Sequence, residues 1–266
     1  MESQEPILHQ LFATRLIQRF GLGNQSLSKI RVLDLGCGTG EQIVYMTRLG
    51  FQMSGCDICR YSFESVCTAL KAADAPITGV RLSRVPTEVP FETNQFHAVY
   101  ANGVFEHCAE MPSLMAEIAR VLMPNGLFLA AFPLRSVIVE PHTWLPFVHW
   151  FAKGWTQRLL IRTMRHLPVQ HPELRGWNCQ KIERYLQNDV FYWTVGQVRQ
   201  ILHRHFEETH SLAKEYLVVA KNQMNRSPML RWALATTTVP LLTSILAFLV
   251  SSQWTYIAEA NNPIKR

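Results

Sequence analysis

Through residue 132, short apolar runs of strand length alternate with stretches whose apolar positions recur three and four residues apart. The runs predict strands over 31–35, 51–56, 80–85, 96–101 and 127–132, and the longer period predicts helices over 7–20, 41–49, 60–73 and 113–122. Such alternation marks βαβ units, in which a crossover helix joins two parallel strands. Pro124-Asn125-Gly126 reads as the turn between the last of these helices and its strand. From 133 to 192 the periodicity breaks, and prolines at 133, 141, 146, 168 and 172 mark an irregular insertion with two short helices. Beyond it, Thr194 is placed to N-cap a helix over 195–205.

The C-terminal pattern is different. No Asp, Glu, Lys, Arg or His occurs from 232 to 258, and Ser227 and Pro228 suit the cap and first position of an apolar helix over 228–251. Residues 254–259 then read as a strand that closes the sheet, with 216–220 as the alternative closing strand. The chain thus divides into a core at 1–132, an aromatic and basic insertion at 133–193, and a return to the core at 194–266.

With 48% apolar and 17% charged residues among 266, the composition is globular and leans apolar. The formal charge of +6 permits an anionic membrane, an anionic substrate or nucleic acid, and its total cannot choose among them. Six cysteines scattered through core elements, and a start without the basic-then-apolar pattern of a signal peptide, point to the reducing cytoplasm. Cys56-x-x-Cys59 lacks the second cysteine pair a zinc site needs.

The most informative chemistry lies at the end of the first strand, where Leu33-Asp34-Leu35-Gly36-Cys37-Gly38-Thr39-Gly40 opens a helix. Its glycines let backbone turn sharply and approach a ligand beyond the strand's carboxyl end. A dinucleotide fingerprint requires Gly or Ala where this chain has Glu41, and a carboxylate at Asp34 repels a pyrophosphate but attracts an ammonium group. Asp57, at the end of the second strand, is placed to accept both hydroxyls of a ribose. Together these choose a cationic adenosine ligand, S-adenosylmethionine, over NAD.

The segments 32–40, Gly55-Cys56-Asp57, Val89-Pro90-Phe91, Phe105-Glu106-His107 and 118–126 together resemble the class I S-adenosylmethionine-dependent methyltransferases, in the broad group that includes quinone-biosynthesis enzymes. The resemblance implies an α/β fold. Its Rossmann-like sheet would have seven strands, mostly parallel with one antiparallel closing strand, and helices on both faces. It also implies that Asp34, Gly36 and Gly38, with Cys37 and Gly40 in the same loop, hold the methionine end. Asp57 would hold the ribose, Val85 and Pro86 would border the adenine, and Ala101 and Asn102 would line the methyl group. Departures occur at three places: Val85 replaces an acidic residue that binds adenine, and His97 replaces a common buried aspartate. At the third, Gly103 stands where some quinol O-methyltransferases have a glutamate completing a divalent-metal site, so no metal is expected.

By the same resemblance, acceptor specificity comes from the segment after the fifth strand. That insertion holds Trp144, Trp150, Trp155, Trp177 and Trp193 with His142, His149, His166 and His171, a composition able to wall an apolar pocket. Methyl transfer from a sulfonium is a direct displacement, and a base is needed only if the nucleophile must lose a proton. His107, His142 and His149 are the candidates.

Between 152 and 167, Lys153, Arg158, Arg162 and Arg165 accompany Trp155, Leu159, Leu160 and Met164 with no acidic residue, a pattern that suits an anionic interface. The apolar run at 232–250 would rise roughly 28 Å as a helix, close to a bilayer core. Since a strand after it must rejoin a soluble sheet, the expectation is peripheral docking rather than spanning. The expected function is methylation of a small-molecule or lipid-type acceptor at oxygen, carbon or nitrogen, in the cytoplasm or at a membrane surface. A nucleic-acid partner is not expected, since no Asn-Pro-Pro-Tyr-like element or aromatic-interleaved basic groove occurs. A nucleic-acid methyltransferase and an inactive cofactor-binding membrane scaffold are the alternatives.

Overall fold

A computed structural model of the chain describes residues 7–21, 26–58, 60–73, 79–151, 154–164, 176–223 and 256–264. In chain order these form α1 (Ile7–Phe20), β1 (Arg31–Leu35), α2 (Glu41–Arg48), β2 (Gln52–Asp57), α3 (Arg60–Ala72), β3 (Val80–Leu82) and β4 (Phe96–Asn102). There follow α4 (Met111–Val121), β5 (Leu122–Phe132), α5 (Trp155–Met164), α6 (Cys179–Asn188), α7 (Val195–His205), β6 (Phe206–Ser211), α8 (Ala213–Gln223) and β7 (Tyr256–Pro263). The seven strands make one sheet in the order β3-β2-β1-β4-β5-β7-β6. β1 to β5 pair in parallel, and β7 runs antiparallel to both of its neighbours.

Both faces of the sheet are covered, and the strands show it residue by residue. Leu33, Leu35, Val99, Ala101, Phe128 and Ala130 face one core with the apolar sides of α4 and α7. Val32, Ala98, Tyr100, Leu127, Leu129 and Ala131 face the other with α1, α2 and α3. This two-sided burial is why the strands read as nearly continuous apolar runs.

Several boundaries differ from the sequence reading for identifiable reasons. β3 has three residues rather than six: the Ser83 amide still bonds Asp57 O at 2.8 Å, and Pro86, which has no amide hydrogen to pair, follows. α4 begins at Met111, two residues early, because Pro112 fits the first turn of a helix. The turn expected at Pro124-Asn125-Gly126 lies inside β5, as a bulge. Phe96 pairs with Leu122 and Ala98 with Leu127, and Asn125 takes the left-handed conformation (φ 60°). α7 spans its expected residues, with a Thr194–Gln197 capping box at its start.

The closing strand begins at Tyr256 and continues to Pro263, beyond the 254–259 expected. Residues 216–220 are helical, within α8, so the alternative closing strand is excluded. β6, which the periodicity did not single out, pairs with β7 and completes the sheet. Arg15 of α1 pins β7 through an ion pair to Glu259 Oε2 at 2.5 Å. The apolar segment 228–251, Cys59, Lys153, Arg165, His166 and His171 lie outside the described residues. Among the described residues, no helix is long and apolar enough to cross a membrane.

The insertion carries α5 and α6 and has its own small core, in which Leu145, Val148, Ile161, Ile182, Leu186 and Val190 are buried together.

Candidate active site

The winding of the sheet reverses between β1 and β4, and in open α/β sheets ligands bind at the carboxyl ends of the strands beside such a reversal. A cavity of about 320 Å³ opens there. Its wall includes Leu35, Gly36 and Gly38 from the loop after β1, Cys56, Asp57 and Ile58 from the end of β2, and Ser83, Pro86 and Glu88 from the turn after β3. Gly103, Val104, His107 and Cys108, after β4, complete it.

The glycine loop works by three different requirements. Gly36 sits at φ +72°, and a Cβ there would stand 2.5 Å from Val104 Cγ2, so the loop and the segment after β4 touch across this residue. Gly40 is left-handed at φ +82°, and a Cβ would collide with Val66 of α3. Gly38, at φ +49°, has nothing within 4 Å of a built Cβ, because it faces the cavity. Its amide donates to Asp57 Oδ2 at 3.0 Å.

Asp34 lies behind this wall, only 2% exposed. Burial, helped by the nearby Asp57 charge, pushes its carboxyl up to about 8. A shift of that size marks Asp34 as a candidate functional group. Cys37 contributes backbone alone: its thiol is buried against the face of Gly55, and its amide donates to Cys56 O at 3.2 Å.

Of the residues expected from sequence, the structure brings Gly36, Gly38, Asp57, Pro86 and His107 to the cavity surface. Asp34, Cys37 and Ala101 are buried behind it, and Gly40 locks the loop onto α3. Val85 is 49% exposed and Asn102 is exposed, and neither lines the cavity. Glu88, which does line it, supplies a carboxylate where Val85 cannot, and accepts the Arg84 amide at 3.1 Å. His97 takes over a structural duty at the amino ends of β1 and β4, where its Nδ1 accepts the Arg31 amide at 3.1 Å. Ser83 and Cys108 were missed because neither belongs to a motif; only the fold brings them to the cavity.

The turn Phe105–His107 is clamped by the extended segment that leaves α6. The Asp189 carbonyl bonds His107 Nδ1 at 2.7 Å, the Phe191 amide donates to Glu106 O at 2.6 Å, and Trp193 Nε1 donates to Phe105 O at 3.3 Å. Every residue of the turn is thereby held by the insertion. The ring of His142 meets that of His107 edge-on at 5.0 Å. His142 Nδ1 bonds Glu140 Oε1 at 2.8 Å. Glu140 is fully buried, yet donors from His142, Thr143 and Tyr192 hold its carboxyl down at about 2.

His149 does not join this group. It lines a second cavity with Arg135, Gln157, Tyr192, Trp193 and Gln197, and burial lowers its basicity. Among the described residues, none of the five insertion tryptophans able to wall an acceptor pocket lines the first cavity. Trp144, Trp150 and Trp155 are 40%, 41% and 74% exposed, and Trp193 lines the second cavity.

Residues 33–130 match the family described as "Methyltransferase domain". A ubiquinone biosynthesis O-methyltransferase of Rhodopseudomonas palustris (strain BisB5) is 30% identical over 119 residues, 45% of this chain and 46% of that protein. One of Bradyrhizobium sp. (strain ORS 278) is 29% identical over 204 residues, 70% of this chain and 78% of that protein. The chain thus spans about half the length of the first of these relatives. Among solved structures, a geranyl diphosphate C-methyltransferase from Streptomyces coelicolor A3(2) superposes with a TM-score of 0.52 at 12% identity, covering 97% of this chain and 81% of that one. The [4+2]-cyclase SpnF does so with a TM-score of 0.51 at 14% identity, covering 96% of this chain and 81% of that one. These structural likenesses concern the fold.

Proposed function

We propose that this chain, whose residues 33–130 form a class I S-adenosylmethionine-dependent methyltransferase domain, methylates a small-molecule or lipid-type acceptor at a membrane surface. The observation that carries the reading is the cavity at the β1/β4 reversal, lined by an open Gly38 and by Asp57, with Asp34 buried behind its wall. The residues fit the cofactor: Asp34 answers an ammonium group, Asp57 answers ribose hydroxyls, and the space over Gly38 admits a ligand against bare backbone. When bound, S-adenosylmethionine supplies an activated methyl group for direct displacement, so the protein's task is alignment.

On this reading the loop 36–40 and Asp57 fix the cofactor, while His107, on the opposite wall, faces the reacting end. The His107–His142 pair is the machinery that prepares the acceptor, and the clamp by Asp189, Phe191 and Trp193 couples it to the insertion. Ubiquinone-type phenolic precursors are the acceptor class suggested by the relatives' names.

The membrane component draws on a run of exposed apolar side chains in the insertion: Ile138, Val139, Trp144, Phe147, Trp150, Phe151, Trp155 and Leu159. Exposed apolar side chains gathered in one segment suit contact with a membrane or an apolar partner. Arg162 on α5 supplies positive charge beside it, whereas Arg158 is ion-paired with Glu183 at 2.6 Å. The test is transfer of labelled methyl from S-adenosylmethionine to a panel of phenolic quinone precursors and lipid extracts, run beside calorimetric titration of the cofactor. Binding without transfer to any acceptor would favour an inactive scaffold, and absence of binding would remove the cofactor assignment itself.

A further inference from the structure

We propose that the second cavity, between the insertion and the turn after β4, binds a small organic acid, its carboxylate at Arg135 and a hydroxyl against buried Gln157, and that occupancy is transmitted to His107. Binding there does not rest on the methyltransferase reading. The cavity measures about 350 Å³, within the range of small-molecule sites. It shares no wall residue with the first cavity.

The exposed part of the wall is cationic. Among the described residues no acidic side chain pairs with the Arg135 guanidinium, whose Nη2 reaches only the Trp150 carbonyl, at 3.5 Å. Gln197 Oε1 is taken up by the Thr194 amide and hydroxyl at 3.0 and 2.9 Å, so what this residue can offer the cavity is its amide N–H. A guanidinium beside an amide donor suits a carboxylate. The buried part of the wall is polar and unsatisfied. Gln157 is 3% exposed, with Nε2 donating to Val148 O at 3.1 Å and Oε1 lacking a partner. His149 is 8% exposed, and neither ring nitrogen has a hydrogen-bond partner. Burial lowers its basicity despite the Glu140 charge and the Val137 and Arg135 carbonyls, so the neutral ring has one donor and one acceptor to give. Leaving such groups unpaired is costly, and a hydroxyl that donates to Gln157 Oε1 removes part of that cost. Phe151, Leu186, Val190 and Phe191 supply apolar wall for the body joining the two polar ends.

The two cavities are separated by very little chain. Cys108 lines the first and Ala109 the second. Val190, Phe191, Tyr192 and Trp193 line the second cavity, and the same strap holds the turn that carries His107. The Asp189 carbonyl bonds His107 Nδ1 at 2.7 Å, the Phe191 amide donates to Glu106 O at 2.6 Å, and Trp193 Nε1 donates to Phe105 O at 3.3 Å. A ligand resting on this strap therefore orders the support of His107, and a segment so ordered opens less often to solvent.

The deciding experiment titrates 4-hydroxyphenylacetate into the full-length chain, followed by calorimetry and by tryptophan fluorescence. Three comparisons run beside it: phenylacetate lacks the hydroxyl, 4-hydroxyphenylacetamide lacks the charge, and inorganic phosphate lacks the apolar body. The expected result is one 4-hydroxyphenylacetate per chain, with each comparison compound weaker by about tenfold or more. Arg135→Gln should abolish the preference for the acid over its amide, and Gln157→Leu the preference over phenylacetate. Should Gln157→Leu fail to fold, Arg135→Gln, at an exposed position, decides alone. Hydrogen exchange at residues 105–108 should slow when the acid is added to wild type, and not at the same concentration in Arg135→Gln. No binding of the acid at millimolar concentration, equal binding of acid and amide, a preference for phosphate, or binding unchanged in folded Arg135→Gln would overturn the site. Binding of the acid with unchanged exchange at 105–108 would overturn the transmission to His107.

Discussion

The backbone amide of Gly38 donates to Asp57 Oδ2 at 3.0 Å, tying the glycine loop after β1 to the tip of β2. The parallel register places Leu35 opposite Cys56, so the two strand ends arrive level and their following residues meet over the cavity. One carboxylate oxygen is occupied with shaping the loop, and the residue lines the cavity. Asp57 therefore holds the binding surface together in addition to presenting a polar group to a ligand.

The first prediction concerns that double duty. Asp57→Ala removes both the loop anchor and the proposed acceptor for ribose hydroxyls, whereas Asp57→Asn keeps an oxygen for the Gly38 amide. Cofactor affinity should fall by about 1–3 kcal/mol in Asp57→Ala, roughly tenfold or more, and by less in Asp57→Asn. Hydrogen exchange at residues 36–40 should accelerate only in the alanine variant. Equal affinities for both variants by calorimetry would show that the anchor does not matter.

A second prediction follows from Asp34, whose carboxyl burial lifts to about 8 in the folded chain against an ordinary value of 3.8. Between those limits the folded state holds a proton that the unfolded state has released, so the group's contribution to stability falls as pH rises from about 4 to about 8. Asp34→Asn removes this liability: its melting temperature should exceed wild type, with a gap that widens from pH 5 to pH 8. The same variant should bind S-adenosylmethionine more weakly, because the carboxylate facing the ammonium is gone. Near neutral pH, wild-type binding should release up to about one proton, detected by calorimetry in buffers of different ionisation enthalpy. A melting temperature for Asp34→Asn below wild type across this range would refute the assignment.

The three loop glycines separate folding from binding. Gly40→Ala meets Val66 and Gly36→Ala meets Val104, so both should destabilise the fold. Gly38→Ala meets nothing within 4 Å and adds only the left-handed backbone penalty of about 1–2 kcal/mol, but it places a methyl group in the cavity. The expected pattern is a modest melting shift for Gly38→Ala with a large loss of cofactor affinity. Thermal scanning with and without S-adenosylmethionine reads both quantities, and a ligand-induced shift as large as wild type in Gly38→Ala would contradict the placement of the cofactor against this backbone.

The proposed cofactor half of the site was legible because its determinants are local. Asp34, Gly36 and Gly38 sit within one strand-to-helix turn, and Asp57 is fixed by the next strand in parallel register. The acceptor half was not, since it is assembled by long-range contacts. His107 and His142 become neighbours only because residues 189–193 return to the turn after β4, and Glu140 and Tyr192, which orient His142, belong to no motif. His149 resembled them in composition but faces a different cavity. In the same way β6 escaped notice: Glu207, Glu208 and His210 give a solvent-facing pattern, and only its pairing with β7 makes it a strand.

The last prediction is membrane docking through the insertion. Trp155 is 74% exposed and Leu159, one turn later on α5, is 53% exposed, while Arg158 and Arg162 follow the same helix. Neither apolar side chain is part of the insertion's buried core, which Gln157 and Ile161 enter from the other face of α5, so replacing them should leave the fold intact. Burying each in an interface contributes up to roughly 1.5–3 kcal/mol. The double variant Trp155→Ser and Leu159→Ser should therefore lose vesicle binding by at least tenfold in co-sedimentation, with its melting temperature and cofactor affinity unchanged. Anionic phosphatidylglycerol vesicles should bind the wild type better than phosphatidylcholine, and salt should weaken that preference because the arginine contribution is screened over about 8 Å at physiological ionic strength. If the double variant binds vesicles as well as wild type, the docking surface lies elsewhere, and the uncharged segment 232–250 becomes the place to substitute next.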